Sequence, residues 1–126
     1  MNFIKLIYSN EFYQYNKSSS IAMDIIGNFL SSDVAYRIST YKQWALFGPE
    51  PRARGNVTYL ERESGFISLG DAYSEEKIPT EVVMTIPQFV QLLDDWEEKV
   101  CKPQPKTVII KYENDQYTIE TIDVYN

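Results

Sequence analysis

The chain has 126 residues, 44% hydrophobic and 24% charged, with a formal net charge of −6, no histidine and one cysteine. That length corresponds to one domain, 1–126, able to bury a core without staples, and the composition is that of a globular chain rather than a disordered one. The acidic balance argues against nucleic acid, whose phosphates need a basic stripe that Arg52 and Arg54 alone do not make, and the missing histidine removes the commonest general base.

Residues 2–8, with Phe3, Leu6 and Tyr8 around Lys5, read as a β-strand, and 9–19 as a polar, aromatic loop. Ser18, Ser19 and Ser20 offer N-caps for a helix over about 20–31. Its apolar face is Ala22, Ile25, Ile26, Phe29 and Leu30. Gly27 weakens that helix by roughly 1 kcal/mol against alanine, and the β-branched content leaves an extended alternative open. Residues 34–38 have the composition of a short strand. Thr40 and Gln43 match a capping box for a helix over 41–47, burying Trp44 and Leu46 or Phe47. Gly48, Pro49 and Pro51 end it and open the most loop-like stretch, 48–55.

Strand alternation resumes over 56–62, with Val57, Tyr59 and Glu61 on one side and Thr58 and Leu60 on the other. A turn at 63–65 sends 66–69 back antiparallel, an acidic connection follows over 70–79, and 80–85 is a third strand. Then Thr85, Pro87 and Gln88 spell a helix start, and Phe89, Leu92, Leu93, Trp96 and Val100 share one face down to Cys101. Asp95–Lys99 and Glu98–Lys102 have helix-pair spacing. Pro103 and Pro105 stop the helix, and a hairpin over 107–112 and 117–124 closes the chain. Strands that follow one another in sequence favour antiparallel pairing. The expected fold is a two-layer α+β domain: a mainly antiparallel sheet of about five to six strands, with one long helix and one or two shorter ones.

The chemistry is sparse. Cys101 lies at a helix C-terminus, where the dipole disfavours a thiolate, and has no histidine to deprotonate it. One cysteine cannot make an internal disulfide and suits a reducing cytoplasm. Residues 1–8 are too short and too interrupted for a signal peptide, and no apolar run reaches a membrane span, so a cytoplasmic location without membrane contact is expected. Gly55, Gly65 and Gly70 form no phosphate loop. Asp71, Glu75 and Glu76 do not match a calcium loop, and no metal or cofactor is expected. Trp44 and Trp96 read as core. Asp94 and Asp95 sit on the exposed side of their helix, where burial does not tune a carboxyl for acid–base work.

The charge is segregated. Residues 1–55 hold four carboxylates and six bases, whereas 56–126 hold fourteen carboxylates and six bases. The candidate partner-binding residues are Tyr59, Glu61 and Glu63 on one strand, Asp71, Tyr73, Glu75 and Glu76 in the acidic connection, and Asp94, Asp95 and Glu98 on the long helix. Tyr8 is a further candidate anchor. An acidic surface speeds encounter with a basic partner and rejects acidic ones, while tyrosines anchor it.

The order of elements over 56–121, from the strand pair 56–69 through the acidic connection and the 84–98 helix to the closing hairpin, resembles the small acidic immunity proteins of bacterial polymorphic-toxin and contact-dependent growth inhibition systems. The resemblance implies a non-enzymatic, monomeric cytoplasmic protein that binds and neutralises one cognate toxin domain, a nuclease among the common cases. The alternatives are an adaptor that pairs through a sheet edge such as 117–124 and, less favoured, a small carboxylate-dependent enzyme.

Overall fold

A computed structural model describes residues 2–122. In chain order it forms β1 (Asn2–Ser9), β2 (Phe12–Ser18), α1 (Ile21–Asn28), α2 (Ile38–Phe47), β3 (Arg52–Arg54), β4 (Thr58–Glu63), β5 (Phe66–Asp71), β6 (Glu81–Thr85), α3 (Ile86–Trp96), β7 (Thr107–Glu113) and β8 (Gln116–Ile122). The class is α+β and every pairing is antiparallel. Among the described residues the strands number eight and divide into two four-stranded sheets, ordered β2-β1-β7-β8 and β3-β4-β5-β6. Helices α1 and α3 each pack against strands of both sheets, and α2 leans on α3. Among the described residues, no helix is long and apolar enough to cross a membrane.

Local chemistry explains most elements. Ser20 accepts from the Met23 N–H and starts α1; Ile25, Ile26, Phe29 and Leu30 are buried as their spacing requires. Gly27 has a packing reason: a Cβ there would stand 2.3 Å from Ile4 Cδ1, so the missing side chain lets α1 close on β1. Thr85 and Gln88 exchange the two hydrogen bonds of a capping box at α3, with Pro87 in the first turn. Of the two expected helix pairs, Glu98–Lys102 forms at 2.6 Å. Asp95 instead accepts from Gln91, and Lys99 donates to the Ile119 carbonyl.

Several expectations are corrected. Residues 9–19 are not a loop: Asn10 and Glu11 both take positive φ, 53° and 73°, and close a two-residue hairpin into β2. Residues 34–38 are not a strand. A π-helical turn, Phe29–Val34, continues α1, and Ile38 already opens α2. Thr40 therefore lies inside α2 and caps nothing. The buried face of α2 is Ile38, Tyr41 and Ala45, while Leu46 and Phe47 are exposed and Trp44 is half-buried. Within 48–55, Arg52–Arg54 pairs with β4. Residues 123–124 of the expected last strand lie outside the described residues. Tyr8, half-buried, packs edge-on to Tyr13 at 5.0 Å in the first sheet.

Asp33 joins the halves of the fold. It is fully buried at the end of the π-helical turn after α1. Its Oδ1 accepts from the N–H groups of Asn56 (2.6 Å) and Val57 (3.0 Å), and its Oδ2 from the Thr58 N–H (3.0 Å) and hydroxyl. A Cβ at Gly55 would fall 2.2 Å from the Asp33 Cγ, so glycine is what admits the carboxylate.

Candidate protein-binding face

In β4, Thr58 and Leu60 are buried, so alternation turns Tyr59, Glu61 and Glu63 away from the helices. Register then builds the outer face of the second sheet. One row is Arg52, Glu61, Ser68 and Val83; the next is Arg54, Tyr59, Gly70 and Glu81; a third is Glu63, Phe66 and Thr85. Phe66 and Val83 are exposed large apolar side chains on this face.

The Tyr59 ring lies across Gly70: a Cβ on Gly70 would stand 2.2 Å from the Tyr59 Cζ. Its hydroxyl donates to Glu81 Oε2 at 3.0 Å. Burial first, and then the Glu81 hydrogen bond, raise its pKa, so Tyr59 stays a neutral donor. The face thus has an aromatic centre with Glu61, Glu63 and Glu81 around it, and Arg52 and Arg54 at its β3 edge beside a shallow depression. Arg52 reaches Glu61 at 3.2 Å in an exposed ion pair. A pair of that kind contributes little to stability and is open to exchange for a partner's cation.

The connection after β5 adjoins this face. Tyr73 is 67% exposed with the Arg54 guanidinium 5.6 Å from its ring centre, and Ile78 is 87% exposed. Asp71 Oδ1 accepts from the Tyr73 N–H at 2.8 Å, holding the turn. Asp71 pairs with Thr58 in register, on the opposite side of the sheet from Tyr59. There Asp71 and Glu76 line a cleft of about 470 Å³ against α1, together with Asp24, Ile21 and Tyr15. Glu75 is exposed beside Glu76.

The long-helix candidates lie elsewhere. Because α3 turns Phe89, Leu92, Leu93 and Trp96 into the core, its carboxylates lie across the second sheet from Glu61 and Glu63. Asp94 pairs with Lys42 of α2 at 2.8 Å, Glu98 with Lys102, and Asp95 lines a groove between α3 and β8. The ten candidates therefore fall in three places. Tyr59, Glu61 and Glu63 share one face with Tyr73 adjoining it, Asp71 and Glu76 share a cleft with Glu75 exposed beside them, and Asp94 and Asp95 lie on α3 with Glu98 in the π-helical turn that continues it. Sequence alternation found Tyr59 and Glu61. It missed Phe66, Val83 and Glu81, which join them only through strand pairing.

Cys101 is half-buried, and its Sγ donates to the Ala35 carbonyl at 3.2 Å. Burial, then Glu97, pushes its thiol up to about 11. Tyr117 is pushed up to about 12 by burial, and Tyr13 is raised for the same reason. Each group is easier to ionise when unfolded. The stability they support is complete below pH ~9 and falls as pH rises through the folded values. Urea melts at pH 8 and 11 are expected to show a loss at the higher pH, and equal midpoints would contradict these assignments.

Among the described residues, no three acidic or sulfur side chains converge as metal ligands do. Comparison with protein-family models, curated proteins and solved structures finds no match.

Proposed function

We propose that this chain is a non-catalytic binding protein of the immunity type, which neutralises a basic toxin domain by one-to-one association in the cytoplasm. The observation that carries the proposal is the open outer face of the second sheet, where Tyr59, Phe66 and Val83 lie among Glu61, Glu63 and Glu81. Aromatic and apolar side chains supply affinity, and the carboxylates supply orientation and encounter rate. Neutralisation needs nanomolar binding, about −12 kcal/mol, and a standard interface of about 1,600 Å². The sheet face and the adjoining 72–80 connection, with Tyr73 and Ile78, together offer the apolar anchors for such an interface. Occlusion of the toxin's substrate cleft follows from docking there, without chemistry by this chain.

The test is co-expression with a candidate toxin domain drawn from the genes adjoining this one. Protection and a one-to-one complex are expected, with Glu61→Lys plus Glu63→Lys losing both. Failure of the unmodified chain to protect or to form a complex removes the proposal.

The adaptor alternative has one observation in its favour: β8 is an edge strand of the first sheet. That alternative calls for a salt-insensitive homodimer by light scattering, where the immunity proposal calls for a free monomer.

A further inference from the structure

A second site lies away from the sheet face and shares no residue with it. The tip of the β1–β2 hairpin, the turn after α1 and the end of the α3 helix enclose a pocket of about 130 Å³. Its walls include Glu11, Phe12, Tyr13, Tyr36, Trp96 and Cys101. Tyr13 and Trp96 meet at 69° with centroids 5.8 Å apart and form a corner at its base. Both rings are fixed from behind: Tyr13 donates to the Pro105 carbonyl (2.5 Å) and Trp96 Nε1 to the Ala35 carbonyl (2.9 Å). Phe12 and Tyr36 stand at the mouth, 65% and 59% exposed. Apolar side chains exposed together beside a pocket mark interaction sites.

The backbone around this pocket is unusual in several independent ways. Glu11 and Ala35, both in the wall, have φ of 73° and 48°. Gln104, also at positive φ (52°), points its amide at the Tyr36 hydroxyl, 3.0 Å away. None of the three is a glycine, asparagine or aspartate, the residues that tolerate this region. Both π-helical turns of the fold, Phe29–Val34 and Glu97–Cys101, contribute to the wall. Positive φ at ordinary residues and π-turns each cost stability and gather at binding sites.

Three accessible rings, Phe12, Tyr13 and Tyr36, with the buried Trp96 packed on Tyr13, and one carboxylate define the ligand. Ring faces carry negative potential, and Glu11 adds a full charge at the mouth. Elsewhere in the fold the chain seats its own cations on rings, Arg54 on Tyr73 and Arg62 on Trp44. Among the described residues no such pair uses the rings of this pocket. We propose that it receives the cationic end of an arginine or lysine side chain from a partner protein. The cation enters between Phe12 and Tyr36, rests against Tyr13, and is neutralised by Glu11. The proposal stands whether or not the sheet face binds a toxin.

The test needs no partner. The purified chain is titrated with N-acetylarginine methylamide and with its neutral citrulline counterpart, following the two indole N–H resonances. Trp44 serves as the internal control, since its ring belongs to another part of the fold. The arginine probe is expected to shift the Trp96 resonance and leave Trp44 unmoved, with the citrulline probe roughly tenfold weaker. Glu11→Gln and Tyr36→Ala, both at exposed positions, are expected to weaken arginine binding severalfold while the remaining spectrum stays native. Equal binding of citrulline would show an apolar pocket with no preference for charge. Equal movement of both indoles, or no movement of Trp96 at high millimolar arginine, would also overturn the proposal.

Discussion

Replacing Asp33 with alanine is expected to remove roughly 4 kcal/mol of stability, a large share of the 5–15 kcal/mol a domain has. The carboxylate is fully buried and accepts three backbone N–H groups and one hydroxyl from residues 56–58. Hydrogen bonds to a charged acceptor contribute about 1.5–3 kcal/mol each, and orphaned donors beneath α1 recover only part of that from water. Asp33→Asn tests the account more finely. Its single carbonyl oxygen can serve either the Asn56–Val57 side or the Thr58 side, while its NH₂ group opposes the other donors. About half the alanine loss is expected. Urea midpoints measure both; a loss below about 1 kcal/mol for the alanine variant would show that Asp33 does not tie the two halves together.

Trp96→Ala is expected to cost about 3–5 kcal/mol. Trp96 is among the largest fully buried side chains, packs edge-on to Tyr13 and donates to the Ala35 carbonyl. Its loss opens a cavity where the end of α3 meets the first hairpin. Trp96→Phe keeps much of the volume and gives up the hydrogen bond, while Cys101 still donates to the same carbonyl. The phenylalanine variant should therefore lose about 1–2 kcal/mol. Urea denaturation of the pair checks the order; equal losses would mean that neither packing nor the indole N–H is used as described.

What could be read from the sequence was what is encoded within a few residues. Thr85, Pro87 and Gln88 start α3 through bonds made three residues apart, and Ser20 starts α1 in the same way. The alternation of Thr58 and Leu60 against Tyr59 and Glu61 assigns the two sides of β4 correctly. The partition into two sheets was not legible. It depends on β1 pairing with β7, from the other end of the chain. β2 hid for local reasons: it is an exposed edge strand, the register shifts at Lys5/Leu6, and its turn uses Glu11 at a φ that glutamate rarely takes. The ring-lined pocket assembles from the hairpin tip, the turn after α1 and the end of α3, so no one segment signals it.

Charge segregation along the chain was a weaker guide to the surface than it looked. Asp94 of α3 and Glu98 of the turn after it are paired with Lys42 and Lys102, and Arg52 and Arg54 from the basic half stand on the same sheet face as Glu61. What remains distinctive on that face is exposed aromatic and apolar area among carboxylates, built by register rather than by composition.

The most direct measurement is the dissociation constant of a complex with the proposed toxin partner, taken at low and high salt for two sets of variants. The first set is Tyr59→Ala, Phe66→Ala and Glu61→Lys on the sheet face; the second is Asp95→Lys on α3 and Glu98→Lys in the turn that continues it. The first set is predicted to weaken binding by about a hundredfold or more, with charge reversal also flattening the salt dependence, while the second stays within about threefold of the unmodified chain. Tight binding by the sheet-face variants alongside a large loss from the α3 variants would contradict the account.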